Sequence, residues 1–192
     1  MTTYEAMKGR RSIRKFDGSK MIPLEILEKA VDVARLAPCG VNMQSLKYCV
    51  VTDPKLTSEI FALSKWGMML KDGSGRPGAG EEPPVWILVL NDSSIKQVAP
   101  LDVGAASENI MIYCQSEGIG SCWLENIAKK EIEKLIDLPE NLTIATSIAL
   151  GYPAMKSKEV EITESGETAY FWGEDGSLSV PKRCLKDVMI IK

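Results

Sequence analysis

Apolar and polar positions fall into blocks whose period changes along the chain. Residues 2–9 carry Tyr4, Ala6 and Met7 and predict a short helix that stops at Gly9. Pro23 opens a second helix, with Leu24, Leu27, Ala30, Val31 and Ala34 on one face and Glu25, Glu28, Lys29, Asp32 and Arg35 mainly on the other. It ends before Pro38, because the residue preceding a proline is steered away from helix. APCGVNMQ (37–44) reads as a loop, Tyr48–Thr52 as a strand, and Leu56–Leu63 as a short helix after an Asp53-Pro54 turn.

The second half is more apolar. VWILVL (85–90) is an unbroken apolar run, as in a strand covered on both faces. Residues 101–118 have helical spacing and are apolar nearly all round, so that helix belongs in a large core or against another subunit. Ser121–Leu124 fits a strand end, Ala128–Asp137 an amphipathic helix stopped by Pro139, and residues 143–153 a buried strand ended by Gly151 and Pro153. The Gly- and Pro-rich stretch 71–84 fits neither regular element and suits a lid, a linker or a loose loop. From Met155 to Lys192 charge, aromatics and turns alternate, EDGS (174–177) among them. No repeat or domain boundary shows, and the order of elements predicts α/β or α+β with one central sheet.

Composition narrows what such a domain does. With 192 residues, 45% hydrophobic and 26% charged, the chain is large enough for a real core. A net charge of -3 argues against nucleic acid as partner, and no apolar run approaches the roughly 20 residues of a membrane helix. MTTYEAMKGRRS offers no apolar signal segment, and the five cysteines (Cys39, Cys49, Cys114, Cys122 and Cys184) form no CxxC pair. A reducing cytoplasm is therefore the expected location, with neither disulfide framework nor metal site. There is no histidine at all, which excludes Ser-His and Cys-His nucleophiles and shifts any hard chemistry to a bound cofactor.

The basic residues are local. Arg10, Arg11, Arg14 and Lys15 crowd into RRSIRKFDGSK around Ser12, and Lys182, Arg183 and Lys186 form a second cluster. Such a cluster suits an anion socket of Arg forks and a hydroxyl, or else a solvated basic turn.

Six segments, RRSIRKF, APCGVNMQ, DVGAASENI, GIGSCWLEN, ALGYPA and PKRCL, together resemble the FMN-dependent nitroreductase family in order and separation. The resemblance runs from about residue 5 to the end, with 64–84 the least matched part. It implies an α+β fold over a single domain (1–192), a central mixed sheet flanked by helices, and an intertwined homodimer with two FMN molecules at its interface. Helix 101–117 would then be a main dimerisation helix, and the MII end (189–191) would add to the partner's sheet.

The same resemblance assigns residues. Arg10 and Arg183 would hold the flavin phosphate, with Ser12 and Lys182 nearby, and Arg14 would place a cation near the pyrimidine side of the ring. Arg11 would matter more through its backbone. Pro38, Cys39, Gly40, Asn42 and Gln44 would touch the flavin bound mainly by the other subunit. Cys39 replaces a common Ser there, as either a redox-sensitive thiol or a packed inert one. Leu124, Glu125 and Asn126 would line the N5 side through a backbone N–H, the Glu125 side chain alternatively capping the helix near Ala128. Gly151 and Tyr152 are read as structural. Trp66, Tyr170, Phe171 and Trp172 would cover a substrate pocket or simply pack.

The implied activity is ping-pong transfer of reducing equivalents from NADH or NADPH to nitroaromatics, quinones or similar small acceptors, with no catalytic side chain. The rival expectations are a specialised flavin enzyme (dehalogenation or flavin breakdown) and a non-catalytic FMN storage or sensing protein.

Overall fold

The computed structural model describes residues 1–163 and 166–192. In chain order it holds α1 (Thr3–Gly9), α2 (Leu24–Arg35), β1 (Leu46–Val51), α3 (Pro54–Ala62), β2 (Val85–Asp92), α4 (Pro100–Ser116), β3 (Gly120–Leu124), α5 (Lys129–Leu135), β4 (Leu142–Gly151), β5 (Ser157–Glu161), β6 (Phe171–Trp172), β7 (Leu178–Lys182) and α6 (Leu185–Val188). Local chemistry sets several of these ends. The Thr2 side chain accepts from Glu5 N–H while Glu5 reaches back to Thr2 N–H, closing a capping box on α1. Asp53 accepts from the N–H groups of Lys55 and Leu56, so α3 starts at Pro54 rather than Leu56; the turn expected there is the helix cap.

The central sheet has strand order β1-β2-β4-β3, every neighbouring pair antiparallel. Its mixed character enters at the β3 edge, where Ser12 makes a parallel bridge to Ser121 and Ile13 N–H donates to Ser121 O at 2.9 Å. Strand β2 is buried at every position, as its apolar run predicts. Val85, Ile87 and Val89 face a core filled by α2 and α4 (Leu27, Ala30, Ala34, Ile110, Met111, Cys114). Trp86, Leu88 and Leu90 face a second core with Ile13, Phe16, Ile60, Trp66 and Ile132. Period-two alternation thus makes three layers, and the α+β form of the expectation holds.

The tail departs from the one-sheet expectation. Its described residues form a second, three-stranded sheet ordered β5-β7-β6, with β5 parallel and β6 antiparallel to β7. Among the described residues no helix is long and apolar enough to cross a membrane.

Candidate functional site

The expected site residues fall into separate places. The basic segment 10–14 runs along the β3 edge. The loop 38–44 precedes β1, at the opposite edge of the same sheet. Lys182 closes β7 in the second sheet, and Arg183 follows it.

At the β3 edge the cations are partly spoken for. Arg10 meets Glu108 through Nε at 3.0 Å, and Arg11 donates to Lys8 O at 2.6 Å and lies 3.8 Å from Glu159. Burial and the adjacent Arg10 lower the pKa of Arg11, with Glu159 and Glu108 opposing. Arg14 lies over the Tyr170 ring at 4.5 Å, its backbone N–H donates to Met155 Sδ at 3.2 Å, and its Nη1 is buried with no hydrogen-bond partner among the described residues. A guanidinium nitrogen left so is costly unless something absent from the protomer accepts from it. Burial pushes the Cys122 thiol on β3 up to about 11, against the opposing pull of Arg14 and Arg10, so it stays protonated and inert at neutral pH. Lys182 and Arg183 are exposed and make no ion pair among the described residues. No recorded contact joins them to Arg10.

Leu124 is buried at the end of β3, and the exposed Glu125 follows it. The Glu125 carboxylate accepts from Trp123 Nε1 at 3.1 Å and Lys129 Nζ at 3.2 Å. Partial burial would raise its pKa, but hydrogen bonds from Thr146, Trp123 and Lys129 outweigh it and hold the group low. It does not cap the helix beginning near Ala128, since α5 has no side-chain cap bond; the acid braces strand against helix instead.

At the other edge the loop is strained. Gly40–Asn42 form a single 3-10 turn in which Val41 adopts φ 48 and ψ 26, and Asn42 and Gln44 each have φ 53. Three departures into left-handed space within four residues, one by a β-branched residue, cost stability and persist only where the surroundings enforce them. Cys39 Sγ accepts from Gln44 N–H at 3.4 Å, so the thiol serves the turn itself. Pro38, Gly40, Asn42 and Gln44 are exposed, and Val41 is 92% exposed. A surface strained and uncovered in one protomer is suited to meet something else.

The stretch 71–84 is held at many points. Arg76 donates to Ser64 O at 2.8 Å and stacks on Phe61, and Ser74 Oγ accepts from Trp172 Nε1 at 2.8 Å; just before the stretch, Tyr170 Oη accepts from Met69 N–H at 3.3 Å. Its approach is a tight crossing: Gly67 has φ 58, and a Cβ there would lie 2.5 Å from Gly75 Cα. Of the four aromatics considered as cover, Trp66 is core, packed edge-on against Trp86 with Nε1 on Ser64. Tyr170 and Trp172 tie the loop to the basic segment, and Phe171 is half-exposed.

Two residues of this site escaped the sequence reading. Asp102 on α4 and Lys96 in the segment between β2 and α4 support the strained loop. An acid in the first turn of a helix looks like ordinary dipole chemistry, and only the fold puts it under Gly40.

The profile of the nitroreductase family matches residues 7–152. An archaeal protein of Methanothermobacter thermautotrophicus, provisionally named NADH dehydrogenase/NAD(P)H nitroreductase, is 32% identical over 162 residues, covering 80% of this chain and 78% of its own. Among solved structures, a nitroreductase family protein of Clostridium novyi NT superimposes with a TM-score of 0.67 at 28% identity, covering 80% of this chain and 87% of its own. An iodotyrosine deiodinase bound to FMN and 3-iodo-L-tyrosine gives a TM-score of 0.66 at 25% identity, covering 79% and 90%.

Proposed function

The chain belongs to the nitroreductase family, and on that premise we propose that it is a homodimeric, FMN-dependent NAD(P)H oxidoreductase reducing nitroaromatics, quinones or similar acceptors. The observation that carries the reading is the buried, unpartnered Nη1 of Arg14 beside β3. A cation there suits a ring that gains negative charge on reduction.

The residues present fit FMN. Arg183 is unpaired among the described residues and Arg10 is engaged through Nε. Together they offer guanidinium forks for a phosphate from two parts of the chain, with Ser12 and Lys182 as lesser donors. Asn42 and Gln44 present amide groups on the strained loop. That loop lies at the sheet edge opposite the arginines, so a shared site takes the arginines of one protomer and the loop of its partner. The exposed Val188, Met189, Ile190 and Ile191 at the carboxyl end and Leu101 on α4 are apolar surface for the same partner to cover.

FMN, when bound, supplies two-electron redox chemistry that no side chain here provides. The chain's own groups have simpler tasks. Arg10 and Arg183 anchor, and Arg14 favours the reduced anionic state. The backbone at Leu124–Glu125 would offer an N–H to the ring. The five cysteines are free thiols.

Anaerobic mixing of the yellow protein with NADH and with NADPH tests this: loss of the visible flavin band within seconds, and parallel-line ping-pong kinetics with a nitroaromatic or quinone, are expected. Protein that takes up no FMN, or that neither nucleotide bleaches, contradicts it. The likeness to an iodotyrosine deiodinase favours a second reading, reductive dehalogenation. Iodide release from 3-iodo-L-tyrosine by the reduced protein, against no turnover of nitroaromatics, would select it.

A further inference from the structure

The loop 39–44 is strained at Val41, Asn42 and Gln44, yet it is mostly exposed, and its own side chains add long contacts such as that from Gln44 N–H to Cys39 Sγ at 3.4 Å. What enforces it lies at its two ends. At the start, Gly40 N–H donates to Asp102 Oδ1 at 3.0 Å, and Asp102, in the first turn of α4, is 7% exposed. The other carboxylate oxygen takes Lys96 Nζ at 3.4 Å. At the far end Ser45, fully within the protein, donates from Oγ to Asn91 Oδ1 at 3.1 Å and accepts from Asp92 N–H at 2.8 Å through its carbonyl. Asn91 Nδ2 donates in turn to Lys96 O at 2.9 Å.

The contacts therefore close a ring: loop start, Asp102, Lys96, Asn91, loop end. Both ends of six residues are fixed to the end of β2 and the start of α4, elements whose cores are packed on each side. Space agrees with hydrogen bonding. A Cβ on Gly40 would fall 2.8 Å from Lys96 Nζ, so the backbone sits directly on this pair. Strain of this kind survives where neighbours over-determine it, and in a binding loop it pre-organises the groups that the loop presents.

We propose that Asp102 is a positioning residue, which holds loop 39–44 in its left-handed form so that Asn42 and Gln44 reach the cofactor with little reordering. This rests on the FMN reading of the preceding section. Asp102 touches neither cofactor nor substrate; it acts through the Gly40 amide. Lys96 aims the carboxylate through its ion pair, and Asn91 ties Lys96 to the other end of the loop.

The test compares wild type, Asp102→Ala, Asp102→Asn and Lys96→Met by hydrogen exchange of the FMN-free protein and by FMN titration. Asp102→Ala should speed exchange at Gly40 and in residues 41–44 by about tenfold or more, leave β2 and β4 protected, and weaken FMN by about tenfold. Asp102→Asn keeps an acceptor for Gly40 N–H but turns an NH2 group toward Lys96, so both effects should be largely recovered. Lys96→Met should move both readouts the same way by about threefold, and it carries the test if Asp102→Ala does not fold. Unchanged exchange and affinity in a folded Asp102→Ala protein overturn the inference, and so does faster exchange with unchanged affinity. Wild type that binds no FMN is a different failure: it refutes the cofactor reading, and the positioning role falls with it.

Discussion

At the β3 edge of the central sheet, Ser12 pairs with Ser121, Arg10 with Glu108 and Arg14 with the Tyr170 ring, all in relaxed backbone. At the β1 edge, Val41, Asn42 and Gln44 sit in left-handed conformations on an exposed loop. One edge stores an unmet need in a single buried side-chain atom, Arg14 Nη1. The other stores it in the backbone. The loop is held in its form by Asp102 and Ser45 at its two ends, whereas Arg14 Nη1 finds no acceptor among the described residues, and the two edges lie across the sheet from each other. On the function proposed above, the difference teaches how a site would be divided, with a cationic half at one edge and a loop half at the other.

Removing the cationic half should have the largest effect. Arg10→Ala combined with Arg183→Ala removes charge-assisted bonds of about 1.5–3 kcal/mol each, so FMN affinity should fall by about a hundredfold or more. Equilibrium titration of the double variant checks this, with circular dichroism to show that the fold survives. Affinity within a few fold of wild type would mean that these arginines are solvated charges.

The loop half responds differently, because its strain costs stability. Val41→Gly relieves a β-branched residue at φ 48, worth about 1–2 kcal/mol, and adds backbone freedom to the unfolded chain, worth about 0.5–1 kcal/mol. Urea unfolding of the FMN-free variant should show a gain of up to about 1 kcal/mol together with weaker FMN binding. A loss of stability would show that the loop is not strained.

Smaller effects sharpen the contrast away from the site. The tie from Tyr170 to Met69 N–H is one neutral bond, so Tyr170→Phe should cost about 0.5–1.5 kcal/mol locally and raise protease cleavage within 67–76. The support under the loop end carries a pH signature. Lys47, Ser94 and Asn141 hold the Asp92 carboxyl well below its ordinary value of 3.8. Its folded pKa is depressed, so its contribution to stability is present above the unfolded value and fades as pH falls toward the folded one. Below about pH 4, wild type should lose stability more steeply than Asp92→Asn, measured by thermal unfolding across an acid series.

Much of this was legible in the sequence. The stripe of Leu27, Ala30 and Ala34 gave α2, and the run from Val85 to Leu90 gave a strand buried on both faces, because a core imposes its period on the residues that fill it. The density of Arg10, Arg11 and Arg14 pointed to an anion. The second sheet was hidden because β5 is SKEVE, short and charged, and pairs in parallel with β7 some twenty residues on; β6 has two residues. The stretch 71–84 looked loose because its ties run from Arg76, Trp172 and Tyr170 to distant partners. Glu108 against Arg10, and Asp102 under Gly40, are likewise pairings across long separations that no local pattern encodes.

Mixed dimers test the divided site most directly. One protomer type would carry Arg10→Ala and Arg183→Ala, the other Asn42→Ala and Gln44→Ala, each weakening both sites of its own homodimer. If the arginines of one protomer work with the loop of its partner, a mixed dimer gathers all the changes into one site and leaves the other intact. FMN titration of affinity-purified mixed dimers should then show one site of wild-type affinity and one empty. Two weak sites, with no wild-type affinity regained, would contradict the account.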